Sequence, residues 1–137
     1  MDIIVAIEII RQKLEEAGGI VQIPKLKEGD FTAKLVNGGV EVDNLGNQPF
    51  LPWPVFQEAL CLLIRNEGRA ERGEAMNARL GDSDLSLDTI EGHIAQVVYG
   101  KRLGDSVFRR ITPISCILIW AGLCEAEPNE LLLKEKL

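Results

Sequence analysis

The chain has 137 residues, 46% of them hydrophobic and 26% charged, with a formal net charge of −6. That is enough chain for one sizeable hydrophobic core, and the composition sets it apart from disordered, collagen-like and low-complexity sequences. The acidic balance opposes a broad, charge-driven attraction to nucleic acid or anionic membrane, although eight of the 15 Lys and Arg lie between Arg65 and Arg110, where eight acids match them.

The opening stretch, Met1–Val5, shows neither a basic region nor a small-residue cleavage site, which sets against a signal peptide. The three cysteines, Cys61, Cys116 and Cys124, all fall in apolar helical runs. An odd count without a secretory signal points to reduced, buried thiols in a cytoplasmic protein.

Residues 2–17 place Ile3, Ile7, Ile10, Leu14 and Ala17 three or four apart, which is helical periodicity. Asp2 suits the N-cap, and Gly18-Gly19 stops the helix. Ile20–Ile23 then reads as a short strand ending at Pro24, and Phe31, Ala33 and Leu35 alternate with neighbours as in a sheet with one covered face. Asn37-Gly38 supplies tight-turn chemistry, so Val40–Val42 returns as the second arm of an antiparallel hairpin. Asn44–Asn47 is a further turn.

Prolines 49, 52 and 54 keep the next stretch extended before a helix from about Pro54 to Asn66, with Phe56, Ala59, Leu60, Leu63 and Ile64 on one side. Trp53 and Phe56 read as aromatics that staple the helix entrance to the core. Residues 69–85 alternate in charge around Gly73 and form a seam between segments 1–68 and 69–137, with Met76 and Leu80 as apolar anchors.

Asp88-Thr89-Ile90-Glu91 matches a capping box, with Glu91 reaching back to the Asp88 amide, and opens a helix that runs to Tyr99. After the basic loop Lys101–Arg110, residues 112–124 are apolar on nearly every side. Thr112 is placed to cap them and Pro113 to occupy the first helical position. A helix apolar all round is enclosed by protein or lipid, and a membrane span needs ~20 apolar residues. Residues 112–124 are therefore expected to form a central buried helix. Leu131–Leu133 reads as a short last strand.

The expected fold is α+β: about four helices and a small antiparallel hairpin sheet, as a single globular domain over 1–137 whose two halves close on one core. Catalytic chemistry is harder to find. His93, the only histidine, has no second ligand at metal spacing. Asp82–Asp88 fails as a calcium loop because Leu87 stands where glycine is needed and His93 where glutamate is needed. Gly100–Gly104 is not a phosphate loop, the cysteines form no Cys-x-x-Cys pair, and Ser106 and Ser115 lack a nucleophile context. No enzyme activity, cofactor or metal is expected.

One cluster remains: Lys101, Arg102, Arg109 and Arg110 bracket a loop that delivers the chain to Thr112 at a helix N-terminus. That arrangement suits an anion or an acidic partner. The leading expectation is a non-catalytic interaction module that binds a protein partner or forms a homo-oligomer. The alternative is a nucleic-acid-binding regulatory domain that uses loop 101–110. A winged-helix likeness fails because a recognition helix must show polar side chains to the major groove, and residues 114–124 show almost none.

Overall fold

The computed structural model describes residues 2–134. Helix α1 (Ile3–Glu16) starts at Asp2, whose side chain accepts the Ile4 and Val5 amides, and its inner stripe is Ala6, Ile10 and Leu14. Gly18 and Gly19, both at positive φ, turn the chain into an antiparallel meander of β1 (Ile20–Pro24), β2 (Asp30–Val36), β3 (Gly39–Val42) and β4 (Phe50–Pro52). The hairpin is centred on Asn37-Gly38, with Val36 opposite Gly39; of the turn pair only Gly38 takes positive φ. Gly39 is required by packing, since a Cβ there would lie 2.2 Å from the Leu51 carbonyl of β4. Phe31 and Ala33 point inward and Leu35 is half-buried, following the period-two pattern.

Helix α2 (Trp53–Arg65) buries Val55, Phe56, Ala59, Leu60, Leu62 and Leu63. It packs against α1, β4, β5 (Arg69–Glu71), α3 (Ile90–Val97), α4 (Ile111–Trp120) and β7 (Glu130–Leu133). The Trp53 and Phe56 rings sit 6.0 Å apart at its entrance. The organising role expected for the late apolar helix is thus shared: α4 is the most apolar helix, but α2 touches more of the fold.

A second antiparallel sheet, in the order β5-β7-β6, joins β5 (Arg69–Glu71), β6 (Cys124–Glu127) and β7 (Glu130–Leu133). The last strand falls where the sequence places it. Of the other two, β5 lies in the stretch read as a charged seam, and β6 begins at the last residue of the apolar run 112–124. Between β5 and α3, Ala75, Leu80 and Leu85 form a small apolar cluster with Ala95, whereas Met76, read as an anchor, is 65% exposed.

Two helix starts differ from the sequence reading. Helix α3 is capped by Thr89, whose hydroxyl accepts the Gly92 amide at 3.1 Å. The Asp88 amide is taken by the Ser86 hydroxyl at 3.3 Å, which leaves no bond for Glu91 to make there. Helix α4 starts two residues early, at Ile111, with Arg110 as N-cap and no side-chain cap of its own, so Thr112 is not the cap and Pro113 stands third in the helix. Proline is tolerated there because first-turn N–H groups have no intrahelical partner. The helix ends at Trp120, Gly122 turns at φ 81, and Cys124 already belongs to β6. Ile111 and Pro113–Leu118 are buried, with α4 packed on β1 of the first sheet and β6 of the second. No helix among the described residues is long and apolar enough to cross a membrane.

Candidate functional site

The position of α4 follows from two charged side chains that other elements supply. At its N-terminus the Glu91 carboxylate, 1% exposed, accepts the Arg110 amide at 2.8 Å and the Ile111 amide at 3.1 Å. Burial pushes the Glu91 pKa up to about 7, against the opposing pull of the two amides and of the Arg110 and Arg109 charges. At the other end Lys13 of α1 donates to the Trp120 carbonyl at 2.6 Å and lies over the Trp120 ring. A helix with almost no polar residues is thereby capped at both ends from outside itself.

The first turns of α4 form part of a cleft of about 920 Å³, between turns of the first sheet and loops of the second. Binding pockets commonly span about 300–1,000 Å³. From the first sheet come Lys25 and Lys27 in the β1–β2 connection and Asn44 after β3. From the other side come Glu71, Arg72, Glu74, Asp84 and Glu130. Arg109, Thr112, Pro113 and Ser115 also line it.

The lining carries both signs of charge. Arg72 is committed to the Glu127 and Glu130 carbonyls at 3.0 and 2.5 Å. Arg109 lies 3.6 Å from Glu74, and Glu130 pairs with Arg69, which holds the Glu130 carboxyl below its ordinary pKa. Among the described residues, Lys25, Lys27, Arg72, Glu71 and Asp84 make no ion pair: the two lysines stand on the first-sheet side, and the two acids stand on the other with Arg72, whose guanidinium bonds backbone carbonyls. Two polar atoms of the lining are buried without a hydrogen-bond partner: Ser115 Oγ and Asn44 Oδ1. Ser115 is 0% exposed.

Comparison with protein-family models, with curated proteins and with solved structures returns no match. The site therefore has to be read from its own chemistry.

Of the residues expected to form one anion contact, the fold brings only Arg109 and Thr112 to the cleft. Lys101 and Arg102 are exposed in the loop after α3 and do not line it. Arg110 is 7% exposed. Its guanidinium stacks over Tyr99 at 3.7 Å and Phe108 at 4.8 Å and donates to Gln48 at 2.7 Å, so it seals the interior.

Among the described residues, no hydroxyl of the cleft lining hydrogen-bonds a carboxylate or histidine. Cys116, one residue beyond Ser115, has its thiol pKa raised by burial, against a Leu26 backbone hydrogen bond and the charges of Arg72 and Lys25. The raised value favours the thiol over the reactive thiolate. His93 is 6% exposed and bonds Glu58 of α2 at 2.9 Å, away from the cleft lining. Among the described residues no three His, Cys, Asp or Glu side chains converge as a metal site. The cleft and the bonding role of Glu91 escape sequence reading. Their only sequence signals are hydroxyls on an otherwise apolar helix and a glutamate one position off its capping box.

Proposed function

We propose that this chain is a cytoplasmic, non-catalytic interaction module that binds a polypeptide segment of a protein partner in the cleft at the N-terminus of α4. One observation carries the reading: the cleft sets unpaired cations, Lys25 and Lys27, on one side and unpaired acids, Glu71 and Asp84, on the other. A polypeptide offers both charges and both kinds of hydrogen-bonding group. A nucleic-acid backbone offers only negative charge, which four lining acids would repel. Among the described residues neither lining hydroxyl, Thr112 nor Ser115, hydrogen-bonds one of the lining carboxylates, which speaks for binding rather than nucleophilic catalysis. The location rests on three free cysteines, two of them buried.

The test is an isotope-labelled NMR titration with a mixed library of end-capped octapeptides, followed by a mixed-sequence oligonucleotide, at low ionic strength. Peptide-induced shifts at Leu26, Asn44, Thr112 and Ser115 are expected. Shifts confined to Lys101, Arg102 and Arg109 on adding the oligonucleotide, weakening steeply with salt, would replace this reading with the nucleic-acid one. Light scattering on the same samples separates a second role: a dimer that peptide does not dissociate would place self-association outside the cleft.

A further inference from the structure

The first sheet ends on one side at β1, and the β1–β2 ladder fixes where the free backbone groups of that edge point. The Leu35 amide donates to the Gly19 carbonyl at 2.8 Å and the Lys25 amide to the Gly29 carbonyl at 3.0 Å. In the same register Val21 and Ile23 are the β1 residues hydrogen-bonded to β2. Bonded and non-bonded positions alternate along an antiparallel pair, so Ile20, Gln22 and Pro24 direct their backbone groups away from β2. Among the described residues no other backbone group bonds them there. The same three residues are exposed, Ile20 at 54%, whereas Ile23 is buried and Val21 half-buried against the core that contains α4.

Sheet edges are ordinarily blunted by charge, proline or brevity. Strands β4 and β5 have three residues each, β4 with Pro49 and Pro52 about it and β5 with Arg69 and Glu71 exposed. Strand β6 exposes Glu125 and Glu127. Strand β1 has five residues and is less protected along its length. The chain is uncharged from Ala17 to Pro24, and proline stands only at the last position of the strand.

We infer that the β1 edge is a self-association surface, to which a second copy of this chain adds its own β1, antiparallel, about a two-fold axis at Gln22. The edge is complementary to itself in that register. The two Gln22 residues exchange both backbone hydrogen bonds, and each Ile20 N–H gives to the Pro24 carbonyl of the other copy. The N–H that Pro24 lacks falls at the margin of the junction, opposite the Ile20 carbonyl. Directly opposed side chains share a face, so the exposed Ile20 and Pro24 cover each other across the junction. Lys25 comes opposite Gly19 of the second copy, close in the chain to the C-terminus of α1, where helix carbonyls and Glu16 carry negative charge. A foreign strand forms the main-chain bonds without supplying these matches. Ile20, Gln22 and Pro24 do not line the cleft, so the inference stands apart from the partner reading.

The experiment follows sedimentation of the full chain from micromolar to millimolar concentration at low salt, with hydrogen exchange read amide by amide by NMR. A dimer should form as concentration rises. Exchange should slow with it at Ile20 and Gln22 but not at Val21 and Ile23, which β2 already holds. Gln22→Pro removes the central edge donor without touching the β1–β2 ladder, and should leave a monomer. Two further variants test the register without a proline. Gln22→Lys and Gln22→Glu each set like charges directly opposite in the dimer and should weaken it. An equal mixture of the two should form a heterodimer about tenfold tighter than either homodimer.

A chain that stays monomeric to millimolar concentration overturns the inference. So does a dimer that forms without slower exchange at Ile20 and Gln22, because its interface then lies elsewhere. No gain on mixing the Lys and Glu variants overturns the two-fold register and the self-complementarity argued from it. Slower exchange of the two amides in a monomeric chain, on adding the octapeptide library, gives the edge to a foreign strand and overturns the second copy as its occupant.

Discussion

Glu91 offers the most direct test of how the cleft is built. Its carboxylate is 1% exposed and holds two amides of the α4 N-terminus, and burial raises its pKa from 4.5 to about 7. A carboxyl whose native pKa lies above its unfolded value takes up a proton on folding between the two values. Glu91 therefore contributes stability that is fully present below pH 4.5 and is lost as pH rises through about 7. The span from 4.5 to about 7 corresponds to about 3 kcal/mol. Glu91→Gln keeps an oxygen for the two amides and removes the charge. Urea unfolding of both proteins from about pH 4 to about pH 8 should show the variant gaining on the wild type by about 3 kcal/mol across that range. Other titrating groups cancel in the difference. Parallel stability curves would show that Glu91 titrates as an ordinary carboxylate and would refute the burial argument. Glu91→Ala separates acceptor from charge, because it strands two buried N–H groups and should cost about 2–4 kcal/mol relative to Glu91→Gln. Equal stability of the two variants would refute the capping role.

Gly92→Ala should destabilise by about 3 kcal/mol in urea, because a Cβ there would lie 2.1 Å from the Ser86 carbonyl and 2.8 Å from the capping hydroxyl of Thr89. Trp120→Ala should cost about 2 kcal/mol, below the ~3–5 kcal/mol of a fully buried tryptophan, because the ring is half-buried beneath Lys13. Arg110→Lys should cost about 2 kcal/mol through loss of the Tyr99 and Phe108 stack and the Gln48 bond, while Arg109→Lys stays within about 0.5 kcal/mol. Lys101→Ala with Arg102→Ala should change neither stability nor peptide affinity, measured by urea unfolding and by titration of the cleft resonances.

The first half of the chain was readable because its signals are local. Asp2, the paired glycines, Asn37-Gly38 and the prolines before α2 act within a few residues of themselves. The second sheet lacked such signals. In β5 only Ala70 faces inward between Arg69 and Glu71, and β6 exposes Glu125, Ala126 and Glu127, so neither shows an apolar run. Their strand character comes from β7, which pairs Ala70 with Leu131 across a long stretch of chain. The basic cluster failed as a unit for another reason. Arg109 and Arg110 are adjacent in sequence, but at a helix entrance adjacent side chains diverge; one reaches the cleft rim and the other enters the core. The cleft draws on segments near residues 25, 44, 72, 84, 112 and 129, and only the fold brings these together.

Helix α4 is held by residues other than those it presents to the cleft. A buried helix must satisfy its terminal amides and carbonyls, and the nearest means would be its own hydroxyls. Here Glu91 of α3 and Lys13 of α1 do that work at the two ends. Thr112 and Ser115, three residues apart on one face, are consequently not spent as caps and both line the cleft. Had Thr112 been the N-cap, as the local sequence suggests, its side chain would have turned back onto the helix amides. The glutamate that departs from its expected capping box is what leaves that hydroxyl free. The burial of Glu91 and the free hydroxyl of Thr112 thus belong to one arrangement: an apolar helix anchored from outside, with its first turns lining the cleft.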